Sequence, residues 1–573
     1  MYSFFRTVPL LLLGSTLSYA GVPLIEPKTL VSSNGKLNVE MTMTVGTIQT
    51  ACHTVTTRLY QVNGETPTSP GTTLRLKKGD ALNLTLTNKL EPVESFGEPN
   101  TFRAPNVTNF HTHGLHVSPK KGSDDVLTTE INGHESLSAT FNIPDYHTPG
   151  LYWYHPHFHG STAMQVGGLA IGALIIDDDK SDGVPVEIKA LPEHLLVLGQ
   201  INIPLMETMA KTNGDKLWKA EPDTKNCTAQ QIADDSDAIL VNGQSKPTLT
   251  IKANEWHRLR ILNANVQDWL DIQKPSSCDF QLLAKDGIYL NDAPREVSHA
   301  VLAGGNRADI AVRCDSTGTY ELESALTKER SSNQFLWRGT LLTLQVEESE
   351  DIGSGSGDNP LPKLNYKTPC YLPDLTNTTA DFTTSFVMTD DEEKGLFQIN
   401  GQSFNPSQPT YEMDLESILN FDLGNIDFHT FHIHVSPFQL LENGGSEDDN
   451  YFLKGDWHDT IFLPDLPEDK KGHVLVGFQP ESYDGDYVMH CHILPHEDQG
   501  MMGTVKVKKS KKQSRLCPSK KGGNSYLGLE IGLPTALMIT GFLTTVGIGI
   551  TYCVIKRHRS RGGYQRMLNF DDI

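Results

Sequence analysis

The chain has 573 residues, with 48 basic against 70 acidic side chains and a formal charge of −22. The stretch from Lys506 to Lys521 is basic, so the body is more acidic still; this excludes nucleic acid as a partner, because a phosphate backbone demands a basic surface. The length exceeds one ordinary core and suggests about three domains.

Residues 1–20 carry Arg6, an apolar run from Val8 to Leu13 and a small-residue exit at Ser18-Tyr19-Ala20, the grammar of a secretory signal peptide. The body that follows reads as all-β. Short alternating runs such as Leu82–Thr87, Leu249–Ile251, His257–Leu262 and Leu341–Val346 recur between Gly, Pro, Asn and Asp. No long amphipathic helical pattern interrupts them. Asp177–Pro185 and the Gly/Ser stretch 353–358 read as linkers. Leu240–Gln244 echoes Phe397–Gln402, as equivalent openings of two related units. The expected divisions are β-domains at 21–180, 185–347 and 360–509, then a basic stalk at 510–530.

An uncharged run of 25 residues, 531–555, is long enough to cross a bilayer of roughly 30 Å as a helix. Lys556-Arg557-His558-Arg559 opens the tail 556–573 and should stay cytosolic. The expected topology is a single-pass type I membrane protein with its body extracellular or lumenal. Sequons at Asn83, Asn106, Asn226 and Asn377 agree with that side. In the tail, Tyr564-Gln565-Arg566-Met567 resembles the sorting signals read by clathrin adaptors, which implies cycling between plasma and endosomal or lysosomal membranes. Of eight cysteines, Cys553 falls in the apolar run and Cys491 in a histidine motif. Cys52, Cys227, Cys278, Cys314, Cys370 and Cys517 allow up to three disulfides, with the pairing open.

The histidines bunch in four places: His111-Thr-His113, His155-Pro-His157-Phe-His159, His429-Thr-Phe-His432-Ile-His434 and His490-Cys-His492 with His496 beyond. Chance would place about one His-x-His pair among 21 histidines; the chain has five. On a strand, residues two apart share a face, so each pair presents two imidazoles side by side. Parity separates two sites. His490 and His492 share one face and Cys491 takes the other; His429 is out of step with His432 and His434, so Cys491 and His429 can meet. Two imidazoles, a thiolate and the thioether of Met501 form a blue-copper ligand set. Zinc has no reason to recruit Met501.

These motifs, with Gly114 closing the first, Trp153-Tyr154 opening the second and Glu497 to Met502 completing the fourth, resemble the four signatures of the multicopper oxidases, nearest the laccase and cuprous-oxidase branch. The resemblance implies three cupredoxin domains and four copper ions. His429, Cys491, His496 and Met501 would hold type 1 copper, and His111 and His432 type 2. The type 3 pair would take His113, His155 and His492 on one ion and His157, His434 and His490 on the other. The middle domain carries no ligand. An electron would enter through an exposed His429 and cross Cys491 to His490 and His492, and four such events would reduce one dioxygen to water. Glu497 is the candidate proton-relay acid on the type 3 side, Asp124 or Asp125 on the type 2 side. Asp459 in Trp457-His458-Asp459-Thr460 resembles a recurrent feature of the family, and a strand-end hydrogen-bond acceptor explains it equally.

The expected donor is organic, a phenol or aromatic amine. The alternative is Fe(II) or Cu(I), which Asp427 and the acidic runs 390–393 and 447–449 would suit. Only Met388 and Met413 fall within 351–430, so a methionine-rich soft-metal insert is missing there. A non-catalytic membrane scaffold should have lost ligands, and this chain keeps them all.

Overall fold

The computed structural model describes residues 21–326, 334–349, 360–391, 394–445, 450–466, 468–509 and 517. The expected leader 1–20, apolar run 531–555 and tail motif Tyr564–Met567 lie outside them. Among the described residues no helix is long and apolar enough to cross a membrane. The expected type I membrane topology rested on the hydropathy and length of that one run, and no described helix carries it.

Strands dominate, as the alternation predicts, and among the described residues the longest helix is the 11-residue Ile203–Asn213. In Lys36–Gln49 the side chains of Leu37, Val39, Met41 and Met43 point inward while their neighbours face out. Ala81–Asn88 runs parallel beside it, with Leu37 level with Leu82, Val39 with Leu84 and Met41 with Leu86. Each buried aliphatic side chain contributes about 1.5–3 kcal/mol relative to exposure, so the period of two fixes which face closes on the core.

The strands form three pairs of sheets. The first pair joins Lys36–Gln49, His53–Val62, Ala81–Asn88 and Ser136–Asn142 against the sheet of His111–His113, Gly150–His155 and Gly172–Ile176. A strand from much later, Lys219–Pro222, completes it by pairing antiparallel with His53–Thr56. The second pair is built around Glu193–Asn202, His257–Asn263, Cys278–Lys285 and Arg307–Cys314, facing Leu270–Gln273, Gly318–Ser324 and Gly339–Glu347. The third sets Phe382–Asp391, Leu396–Ile399, Leu419–Gly424 and Val474–Phe478 against Phe431–Ile433, Gly485–Cys491 and Met502–Lys508. Disulfides join Cys52 to Cys227, Cys278 to Cys314 and Cys370 to Cys517, and Cys491 stays free and buried.

Two short ladders carry the histidines. His111 pairs with His155 and His113 with Trp153 across one; Phe431 pairs with Cys491 and His432 with His490 across the other.

Candidate metal centre

The two ladders meet ring to ring. His111 stacks on His434 with centroids 3.9 Å apart, and His113 on His432 at 3.8 Å. His157 Nε2 lies 3.1 Å from His490 Nε2. His157, His434 and His490 bring one nitrogen each within 4.8 Å of one another, as do His111, His432 and His434, and His111, His113 and His155. The ring of His492 sits 5.1 Å from His113 and 6.0 Å from His155. All eight of these imidazoles are buried.

On the far face of Gly485–Cys491, the Cys491 sulfur lies 3.8 Å from His429 Nδ1 and 4.0 Å from His496 Nδ1. Met501 is buried beside them; its N–H donates to His496 O at 2.9 Å and its carbonyl accepts from Cys491 N at 3.0 Å. The expectation of an exposed His429 is corrected here: it is only 4% exposed. The hairpin Phe382–Asp391/Leu396–Ile399 covers it, and one cross-strand pair reaches both imidazoles. Asp390 Oδ1 sits 3.1 Å from His429 Nε2, and the Phe397 ring lies 4.8 Å from His496. Asp390 is itself one-third exposed, so the accessible group at this end is a carboxylate.

The donor set fits copper. Burial, then mutual repulsion, pulls His111 and His113 well below their ordinary pKa, and burial pulls His490 to about 4, so these imidazoles are neutral ligands with a lone pair. Among the described residues, His111 Nε2, His113 Nδ1, His155 Nε2, His432 Nε2, His434 Nε2 and both His492 nitrogens are buried without hydrogen-bond partners. Orphaned polar atoms in such number cost free energy that a cation recovers. Burial also pushes the Cys491 thiol up to about 12, and a soft metal would deprotonate it outright.

The expected acids divide. Asp124 Oδ2 lies 3.0 Å from His111 Nδ1, which leaves Nε2 facing the cluster. Asp125 caps a turn instead, accepting from Thr128 N at 3.0 Å. Glu497 is fully buried, 3.7 Å from both His157 Nδ1 and His159 Nδ1, with Oε2 unpartnered. Burial, then its neighbour Asp498, raises its pKa far above the usual range. Asp498 accepts from Gly160 N and Ala163 N at 2.6 and 2.8 Å and ties the fourth motif to the second. Cavities of about 120 Å³ beside His157, His159 and Arg103 and about 250 Å³ beside His434, Asp124 and Lys120 reach the cluster from two sides.

Sequence reading missed Arg307, Asp498 and the individual role of Asp390; only Asp390, within an acidic run, left a signal. Asp427, singled out by its spacing from His429, turns its Oδ1 inward beside Gly472.

Profiles of the multicopper oxidase family match residues 42–181 and 367–511. The chain is 26% identical over 443 residues to a multicopper oxidase of Staphylococcus haemolyticus, covering 76% of this chain and 82% of that one. It is 25% identical over 525 residues to a laccase of Bacillus subtilis, covering 83% and 95%. The chain belongs to the multicopper oxidase family. It is a laccase-like oxidoreductase that works with copper, dioxygen and a reducing substrate. A Campylobacter jejuni multicopper oxidase described as a metallo-oxidase shares the fold at a TM-score of 0.60 and 21% identity, over 86% of this oxidase and 94% of that chain. These bacterial relatives tell further against the type I topology at plasma or endosomal–lysosomal membranes.

Proposed function

We propose that the oxidase takes electrons from small organic donors, phenols and aromatic amines, at a type 1 copper held by His429, Cys491, His496 and Met501. His111 and His432 would hold type 2 copper. His113, His155 and His492, with His157, His434 and His490, would hold the type 3 pair, four ions in all. The bodies 21–180, 185–347 and 360–509 would be the three cupredoxin domains, the middle one contributing no ligand. The observation that carries this reading is Cys491 facing His429 and His496 while its neighbours His490 and His492 face the histidine cluster.

Bound copper supplies one-electron oxidation and the reduction of dioxygen. The chain supplies the rest. The peptide between Cys491 and its two neighbours gives electrons a covalent route without a mobile carrier. Glu497 stands beside His157, placed to relay a proton, and Asp124 fixes His111 from the opposite side. Donor binding falls to the rim formed by Asp390, exposed Phe428 and Leu396. An aromatic donor finds apolar surface there and a carboxylate to accept its proton.

Oxygen uptake by the purified protein with a phenol, Fe(II) and Cu(I) in parallel tests this. We expect the phenol to be consumed fastest, and Asp390→Asn to slow it. A loss confined to Fe(II) or Cu(I) in Asp390→Asn, with phenol oxidation unchanged, would make it a metal oxidase.

A further inference from the structure

The middle segment supplies no candidate ligand, yet one of its side chains grips a residue that touches the cluster. Arg307 is 1% exposed and opens the strand Arg307–Cys314. Its Nη1 and Nη2 grip Asp459 Oδ1 and Oδ2 at 2.8 and 2.6 Å. The remaining N–H groups donate to Leu151 O, Gly305 O and Asp286 O at 3.1, 3.0 and 2.9 Å. All five donors of the guanidinium are thereby used. Leu151 lies on the strand that pairs with His111–His113, and Asp459 precedes Thr460, which pairs with His432.

Asp459 works on two rings at once. Its Oδ1 is 3.2 Å from His113 Nε2, and its carbonyl is 2.8 Å from His432 Nδ1. Thr460 Oγ1 reinforces both, at 3.1 and 3.0 Å. His113 is thus held at Nε2 and His432 at Nδ1, which leaves opposite nitrogens, Nδ1 and Nε2, unpartnered and turned inward. A single residue sets two stacked imidazoles in opposite tautomers. Gly114 makes room for it: a Cβ there, at φ +85°, would lie 2.6 Å from Asp459 Oδ2 and run into the guanidinium.

We propose that Arg307 is a positioning residue for the copper cluster, acting through Asp459 to hold His113 and His432 with their ligand nitrogens turned inward. The proposal rests on the ligand assignment above. A lysine would keep the charge and lose the fork that grips both carboxylate oxygens.

The test loads the full-length protein with copper and titrates it with a chelator, following total copper by elemental analysis and the Cys491 site by its blue absorption. Arg307→Lys and Asp459→Asn should release cluster copper at about 10–100-fold lower chelator strength, with the blue absorption unchanged. Arg307→Met should be worse than Arg307→Lys. Arg260→Lys is the control, a buried arginine of the same sheet that pairs with Glu193 at 2.7 Å. It should lower the thermal midpoint and leave copper retention alone. Wild-type copper retention in both folded variants, or parallel loss of cluster copper and blue absorption in Arg307→Lys, would overturn the proposal. A wild type that binds copper only at the blue site would instead overturn the ligand assignment.

Discussion

At Cys491 one side chain divides two groups of candidate ligands. The sulfur faces His429 and His496, while the residues bonded on either side face away into the cluster. Cys491→Ser should therefore abolish the blue absorption and oxygen uptake together while circular dichroism stays that of the wild type. His157→Ala should stop oxygen uptake and keep the blue absorption, and donor should still bleach that absorption anaerobically. Loss of the blue absorption in folded His157→Ala would contradict a two-site arrangement. This separation was legible in the sequence because strand parity is a local property, readable from His490-Cys491-His492 without knowing the partner strand. The burial of His429 was not legible. It depends on Asp390, 39 positions away in sequence, and on a hairpin whose placement over the imidazole is a matter of tertiary packing. Asp459 shows the same limit, since its partner Arg307 lies 152 residues away.

Among the elements, the strands were readable and their partners less so. Lys36–Gln49 and Ala81–Asn88 announce themselves by alternation, but nothing in Lys219–Pro222 says that it belongs beside His53–Thr56. The Cys52–Cys227 disulfide closes a separation of 175 residues near that junction. Loops of such length cost the unfolded chain most when cross-linked, so the bond should stabilise by about 2–5 kcal/mol. Paired Cys52→Ala and Cys227→Ala replacements should lower the denaturation midpoint by a matching amount without changing the copper spectrum. An unchanged midpoint would mean that strand pairing alone holds the junction.

Across the whole molecule, a buried charge cluster bridges the second and third pairs of sheets. Lys285 Nζ and Arg295 Nη2 reach Asp456 at 2.6 and 2.8 Å. Burial pulls the Lys285 ammonium down, but two cations around one carboxylate hold Asp456 far below the usual carboxylate range despite its own burial. A depressed folded-state pKa gives stability that is fully present above the unfolded value, about pH 4, and is lost as pH falls toward the folded one. Asp456→Asn should cost about 3–5 kcal/mol at pH 7, because it strands buried Lys285 and leaves Arg295 with Asp292 alone, and should flatten the acid dependence below pH 4. Urea midpoints at pH 7 and pH 3 measure both effects; an equal loss at the two pH values would contradict the charge argument. The return of Lys219–Pro222 to the first pair of sheets also bears on how the protein is made. During synthesis, the outer edge of His53–Val62 stays bare until residue 222 has left the ribosome, and an open edge invites pairing with other chains. A fragment cut near residue 180 would keep that edge bare for good and should aggregate, whereas one extended through Cys227 would carry its own cover.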